Sequence, residues 1–277
     1  KLIIGAVGII LLIIFLYCQN NKLQVTKMTV EQQELPAEFA GFRIIHLSDL
    51  HNKWFGKGQK RLITKLKELE PDLIVITGDL VDEAGYDQQA ALQLMQKAQE
   101  LAPVYLVTGN NDLEVKQWPK LRRKIKEIGV TLLEEDRVQI TCGQQSIYLI
   151  GIGDPGSNFM PQTQIKNILN NKLALVCQQD NDQKFTILLV HRPQFLSLYN
   201  SYNFNLVLAG HAHGGQIRLP ILGGLIAPGQ WLFPKYTAGV YSYQGTDLVV
   251  NRGLGNSIIP QRLFNRPEIG VINLDQP

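Results

Sequence analysis

The chain has 277 residues, 45% of them apolar and 18% charged, which is the make-up of an ordinary globular protein with enough apolar material for a full core. A formal net charge of +3 is too small to hold nucleic acid by bulk electrostatics, and no nucleic-acid partner is expected. The three cysteines, Cys18, Cys142 and Cys177, form no CxxC or Cys/His spacing, which excludes zinc-finger and thioredoxin-type sites and argues against a disulfide framework.

Leu2 to Tyr17 is almost unbroken aliphatic sequence, and no charge occurs between Lys1 and Lys22. About 17–25 such residues span a bilayer as a helix. The run ends Leu16-Tyr17-Cys18-Gln19-Asn20, with no small-x-small cleavage site and with a bulky Tyr17 before Cys18. It therefore reads as an uncleaved anchor over residues 1–18 rather than a cleavable signal. Lys1 on one side against Lys22 and Lys27 on the other sets its orientation only weakly. Residues 19–40 are polar and irregular and read as a tether and domain entry, and residues 41–277 as one domain.

Short apolar runs then alternate with amphipathic stretches. Phe42–Leu47 predicts a buried strand, and Leu62, Ile63, Leu66 and Leu69 a helix over Gln59–Glu70, ended by Pro71. Leu73–Thr77 and Val104–Thr108 predict strands, followed by helices near Gln88–Leu101 and Trp118–Ile128. The basic run from Lys120 to Lys126 has helical apolar spacing and reads as a solvated face. In the second half, Val138–Thr141 with Ser146–Ile150 and Ala238–Tyr243 with Asp247–Asn251 predict hairpins. Ile165–Leu175 predicts a helix, and Phe185–Val190, Leu206–Ala209 and Ile269–Leu274 predict strands. Without a Pro/Gly linker between the halves, this is one α/β domain with two packed mixed sheets.

Metal-binding residue types cluster at the ends of the predicted strands. They stand in Ser48-Asp49-Leu50-His51, Gly78-Asp79, Gly109-Asn110-Asn111-Asp112, a lone His191, and Gly210-His211-Ala212-His213. Ligands of parallel α/β sheets bind at the carboxyl edge of the strands. Extended Asp-x-His and His-x-His put both side chains on one side, where each pair can grip one cation. The adjoining glycines let backbone approach closely. Any one segment alone is an ordinary turn, cap or packing histidine; all five in order, each after an apolar strand, point to a metal site. Carboxylate, amide and imidazole donors suit manganese first, then iron, zinc or magnesium.

These five segments resemble the ordered motifs of the calcineurin-like metallophosphoesterases. Within that family, Gly210-His211-Ala212-His213-Gly214-Gly215-Gln216, Asn251-Arg252-Gly253-Leu254-Gly255 and Arg266-Pro267-Glu268-Ile269 resemble the bacterial YkuE/YaeI-like phosphodiesterases, and the resemblance runs from about Phe42 to Asn273. It implies a four-layer sandwich of two mixed sheets flanked by helices. It also implies two divalent metal ions that activate a hydroxide: one held by Asp49, His51 and His213, the other by Asn110, His191 and His211, with Asp79 bridging. The expected activity is phosphodiester hydrolysis on a lipid- or nucleotide-linked substrate. A nucleotide-linked lipid pyrophosphohydrolase is the alternative, and a non-catalytic metal-binding scaffold the rival class.

The family's third motif usually carries His where this chain has Asn111, and the family role of that position is to protonate the leaving group or to stabilise phosphoryl charge. Asn donates a hydrogen bond but no proton at neutral pH. Asp112, which would orient such a His, is retained, so Asn111 and Asp112 are the candidate catalytic residues. Relatives that hydrolyse pyrophosphate in lipid A synthesis carry Arg there, so residues other than His are tolerated. Asp154, Arg218 and Arg252 are candidate substrate residues, because Arg forks match phosphate oxygens. The charge-free stretch from Leu219 to Pro234 predicts either a loop folded onto the core or an apolar lip that touches the bilayer. The partners expected are a phosphoester and the membrane, without an obligate protein partner. The expected place is the outer face of a bacterial cell membrane.

Overall fold

The computed structural model describes residues 1–157, 159–177, 184–256 and 259–277. The chain opens with α1 (Leu2–Asn21), whose large apolar side chains from Ile3 to Ile14 stand exposed on all faces. It is long and apolar enough to cross a membrane. The next elements are β1 (Gln24–Glu31), β2 (Arg43–Leu47), α2 (Lys60–Glu68), β3 (Leu73–Thr77), α3 (Gln88–Gln99), β4 (Val104–Val107), α4 (Asn110–Glu114), α5 (Trp118–Glu127) and β5 (Thr131–Leu132). The second half holds β6 (Asp136–Cys142), β7 (Gln145–Gly151), α6 (Gln162–Cys177), β8 (Thr186–Leu189), α7 (Leu196–Asn200) and β9 (Leu206–Ala209). Four two-residue strands follow, β10 (Arg218–Leu219), β11 (Gly223–Gly224), β12 (Ile226–Ala227) and β13 (Trp231–Leu232), then β14 (Gly239–Tyr243), β15 (Thr246–Val250) and β16 (Glu268–Asp275).

Two mixed six-stranded sheets carry the domain, in the orders β1-β16-β2-β3-β4-β5 and β14-β15-β9-β8-β7-β6. Ile44, Val75, Val107, Leu149, Ile187, Leu208, Val249 and Ile272, drawn from both, form the apolar layer between them. The outer face of the first sheet is covered by α2, α3 and α5 through Leu62, Leu66, Leu94, Leu121 and Ile125. That of the second is covered by α6 and α7 through Ile165, Leu169, Leu196 and Tyr199. The four-layer sandwich expected from the sequence is the fold. Its centre is largely apolar because β3, β8 and β9 are covered on both faces, so their sequences run mostly Val/Ile/Leu without alternation. None of the three cysteines, all of them among the described residues, is joined in a disulfide.

The stretch expected to be a tether is instead part of the sheet. β1 pairs in parallel with β16 over eight residues, from Gln24 opposite Glu268 to Glu31 opposite Asp275. Its half-polar sequence hid it, because an edge strand with one face wet lacks the continuous apolar signature of the central strands. Nor does α1 swing free. Asn20 Oδ1 accepts from the Arg262 N–H at 2.7 Å, Asn20 Nδ2 donates to Pro260 O at 2.9 Å, and Lys53 Nζ donates to Asn20 O at 2.6 Å. Removing residues 1–21 is therefore expected to leave a folded, soluble domain that keeps its metals. Removing residues 1–31 strips the partner strand from β16 and takes buried Val30 out of the core, and is expected to give aggregated protein. Thermal melts and elemental analysis of both truncations check this; metal loss in the shorter one would make α1 part of the domain core.

Candidate metal centre

The five expected segments meet at one edge of the two sheets. Asp49 and His51 follow β2, Asp79 follows β3, Asn110 follows β4, His191 follows β8, and His211 and His213 follow β9. All seven side chains are buried, from 0% exposure at Asp49 and Asn110 to 9% at His51. The pairs do not converge by strand alternation. Asp49, His51, Asp79, His211 and His213 have left-handed backbones, with φ of 51, 46, 55, 63 and 48°. The chain thus kinks at the turns after β2, β3 and β9, and such strained non-glycine positions concentrate at functional sites. The turns are laced together: Asp49 N–H donates to Gly78 O at 2.9 Å and His51 N–H to Asp79 O at 3.1 Å. A Cβ at Gly109 would overlap Asp79 Oδ1, and one at Gly210 would overlap Ser48 Oγ, so close packing demands glycine at both.

The side chains fall into two groups that share one residue. Asp49, His51, Asp79 and His213 form the first; Asp79, His191 and His211 form the second. His51 Nε2 lies 3.1 Å from His213 Nε2 and 3.6 Å from Asp79 Oδ2, and His213 Nε2 lies 3.3 Å from Asp49 Oδ1. In the second group His191 Nε2 is 3.2 Å from Asp79 Oδ2 and 3.0 Å from His211 Nδ1.

The electrostatics are those of a pocket built around positive charge. Burial works against an imidazolium at His191, but the charge and hydrogen bond of Asp79, then Asp49 and Asp154, push it up to about 10. Burial would raise Asp79, yet His191, His51 and His211 hold it well below the usual carboxylate range. Burial raises Asp49 and, with nearby positive groups, drives His211 and His213 well down. Both amide atoms of Asn110, Nε2 of His211 and Nδ1 of His213 are buried without a hydrogen-bond partner. Orphaned buried polar atoms are costly, and the amide oxygen of Asn110 is the acceptor among them that a cation would satisfy.

Asn111, half-buried at the start of α4, donates Nδ2 to Asp79 Oδ2 at 2.7 Å and its N–H to Asp79 Oδ1 at 2.8 Å. Asp112 departs from its expected task of orienting residue 111. Its Oδ2 accepts from the N–H of Asp79 and Gly109, and its Oδ1 from those of Leu80 and Val81, at 2.8–3.1 Å. It shapes the Asp79 turn instead, and burial and the Asp79 charge push its carboxyl up to about 7 against those donors.

Two of the three substrate candidates are held in buried ion pairs within the fold. Asp154 is buried in a two-pronged pair with Arg192, Nε to Oδ2 at 2.7 Å and Nη2 to Oδ1 at 3.0 Å. Arg252 is buried against Glu268, which accepts from its Nε at 2.9 Å and its N–H at 2.8 Å. The family-like stretches at Asn251–Gly255 and Arg266–Ile269 thus recognise each other, and the first props the Asp49 turn: Gly255 N–H donates to Asp49 O at 2.6 Å. Arg218 is half-buried with Nη1 on Gly214 O at 2.9 Å and Thr237 Oγ1 at 3.2 Å.

Two groups that sequence reasoning passed over orient the histidines. Asp82 Oδ2 accepts from His51 Nδ1 at 3.1 Å, and Thr77 O from His191 Nδ1 at 2.6 Å, so both Nε2 atoms face the cluster. The signal for Asp82 was its place three residues after Asp79 in Gly-Asp-Leu-Val-Asp, indistinguishable in sequence from a solvated loop acid. Asp82→Ala is expected to weaken metal binding by roughly 10–100-fold while the fold persists. Metal titration followed by thermal melting checks both halves of that statement.

Residues 42–215 match the Calcineurin-like phosphoesterase family. An uncharacterized metallophosphoesterase, YkuE of Bacillus subtilis, is 30% identical over 93% of this chain and 87% of its own length. Phosphodiesterase YaeI of Escherichia coli is 27% identical over 85% of this chain and 83% of its own. The UDP-2,3-diacylglucosamine pyrophosphatase LpxG of Chlamydia muridarum is 26% identical over 92% and 90%.

Proposed function

The chain belongs to the calcineurin-like phosphoesterase family of hydrolases, and from that premise we propose that it is a membrane-tethered two-metal phosphodiesterase. The observation that carries this reading is the pair of buried residue groups, Asp49, His51, Asp79 and His213 and then Asp79, His191 and His211, that share the Asp79 carboxylate beside the orphaned amide oxygen of Asn110. Asp49, His51 and His213 would hold one cation, Asn110, His191 and His211 the other, and Asp79 both. Manganese is the first choice for this mixed oxygen and imidazole set, with iron, zinc and magnesium as alternatives. Two bound cations would supply a water of lowered pKa and a clamp on the attacking and leaving oxygens.

This chain's own residues do the rest. Asp82 and the Thr77 carbonyl fix the tautomers of His51 and His191. Asp112 fixes the Asp79 turn. Asn111 Nδ2, which touches Asp79 Oδ2 at 2.7 Å, is the side-chain donor placed to meet a phosphoryl oxygen. The intact ligand positions weigh against a non-catalytic scaffold.

A phosphoester with a weakly basic leaving group, such as an aryl diester, suits the site because no imidazole stands at position 111 to protonate a basic one. The same observation favours the second reading, a pyrophosphatase of a nucleotide-linked lipid, the activity in the name of the Chlamydia relative. The helix α1 and the resemblance favour the outer face of a bacterial cytoplasmic membrane. The test is hydrolysis by the metal-stripped full chain, reloaded with each metal, on aryl phosphodiesters, alkyl phosphomonoesters and a nucleotide diphospho-lipid. Metal-dependent turnover of the first or third, abolished by chelator, is expected. Two bound metals with no turnover of any would return the chain to the scaffold class.

A further inference from the structure

Outside α1, ten large apolar side chains are exposed among the described residues, and five of them lie between Ile221 and Phe233. Ile221 is 105% exposed, Leu222 65%, Trp231 79%, Leu232 65% and Phe233 61%. Ile221, Trp231 and Phe233 also have φ of 71, 59 and 51°, a region that a β-branched or bulky residue rarely enters. The rest of the stretch is anchored: Leu225 N–H donates to Ile217 O at 2.8 Å, and Phe233 N–H to Leu225 O at 2.9 Å. An ordered backbone thus presents a cluster of bare apolar side chains, and such patches mark an interaction surface.

Its occupant follows from its neighbours. Arg218 N–H donates to Leu263 O at 2.9 Å, which sets the segment beside Phe264. Phe264, itself 53% exposed, packs its ring 5.8 Å from that of Phe15 in α1. Gln261 Nε2 reaches Leu16 O at 3.1 Å. Phe15 lies six residues before the end of α1, about 9 Å back along the helix at the usual rise. A domain residue therefore meets the anchor at the depth of its apolar run. From Leu219 to Pro234 the chain carries no charge, while Lys22, Lys57, Arg61 and Lys235, around the helix end and the far side of the stretch, are exposed cations suited to anionic headgroups. On the other flank the segment joins the metal cluster directly, since Leu225 N–H also donates to Gly215 O, two residues past His213.

We propose that residues 219–234 together with Phe264 form a second contact with the bilayer, which sets the metal cluster at the headgroup level so that its phosphoester substrate is an amphiphile drawn from the membrane. The substrate half rests on the phosphoesterase reading above; the contact half does not. The test uses the full chain in bilayers of phosphatidylcholine and phosphatidylglycerol brominated on their acyl chains. The fluorescence difference between wild type and Trp231→Phe isolates Trp231, since buried Trp118 and half-buried Trp54 remain in both. Strong bromine quenching of the Trp231 component is expected. An unquenched Trp231, or one shielded by self-association seen in sedimentation, overturns the contact.

The activity arm uses Ile221→Asp combined with Phe233→Asp. Turnover of a small soluble aryl phosphodiester should stay within about twofold, while that of a long-chain phosphoester lipid in the same bilayer should fall at least roughly tenfold. Equal loss on both substrates, or no loss on the lipid, overturns the delivery role. Wild-type protein inactive on both would instead sink the phosphoesterase reading and leave the quenching result to decide the contact.

Discussion

Asp79→Ala is expected to release both metals and to lower turnover by on the order of 10³-fold or more, the several kcal/mol that a two-metal clamp supplies. The reason lies in the geometry of one carboxylate. Asp79 belongs to both candidate metal groups, with Oδ2 3.6 Å from His51 Nε2 in one and 3.2 Å from His191 Nε2 in the other. Against burial, its charge is also what chiefly holds His191 above the ordinary imidazole range, and at His51 it adds to the larger effect of the Asp82 hydrogen bond, so its loss alters the protonation of both. Asp49 belongs to the first group alone, so Asp49→Ala should release one metal and leave the other. Asp79→Asn keeps the shape and separates the charge from any cavity effect. Elemental analysis and kcat on the three variants form the test. Two tightly bound metals in Asp79→Ala would refute the bridging assignment.

The central strands and the cluster of candidate ligand residues were legible in the sequence because both rest on local chemistry. Leu73–Thr77 and Leu206–Ala209 are continuous apolar runs covered on both faces, and the residue types that grip cations stand right after them. Less legible was everything decided by a distant partner. β1 is a strand only because β16, more than 240 residues later, offers it an edge. Asp154 and Arg252 looked available for substrate because sequence does not show that Arg192 and Glu268 occupy them. The convergence of Asp49 with His51 was expected from strand alternation but arises from left-handed turns beyond the strand ends. Asp82 went unnoticed for the same reason as Asp154: an acid in a loop acquires a role only from what it faces, and Asp82 faces His51.

The second large effect concerns Asn111, where the chain departs from the pattern it otherwise keeps. A general acid at a departing oxygen contributes ~10²–10⁴-fold, and matters most when that oxygen is a strong base. The wild type should therefore cleave aryl diesters and pyrophosphates readily and simple alkyl diesters poorly, with a steep dependence of log rate on leaving-group pKa. Asn111→Ala should leave that slope unchanged and lower all rates alike by a modest factor, since it removes only the hydrogen bonds of the neutral Nδ2 to Asp79 and to the phosphoryl oxygen. Asn111→His should flatten the slope by raising alkyl rates more than aryl ones. The gain is expected to fall short of the full acid contribution, because a new ring would lack an orienting carboxylate. Asp112, its chain neighbour, already accepts from the N–H groups of Asp79, Leu80, Val81 and Gly109 and has no oxygen to spare. Rates on a series of aryl and alkyl diesters for the three proteins decide the matter. A shallow wild-type slope that Asn111→Ala makes steep would mean that Asn111, or a group it positions, already assists departure, and the reading of a site without an acid would be wrong.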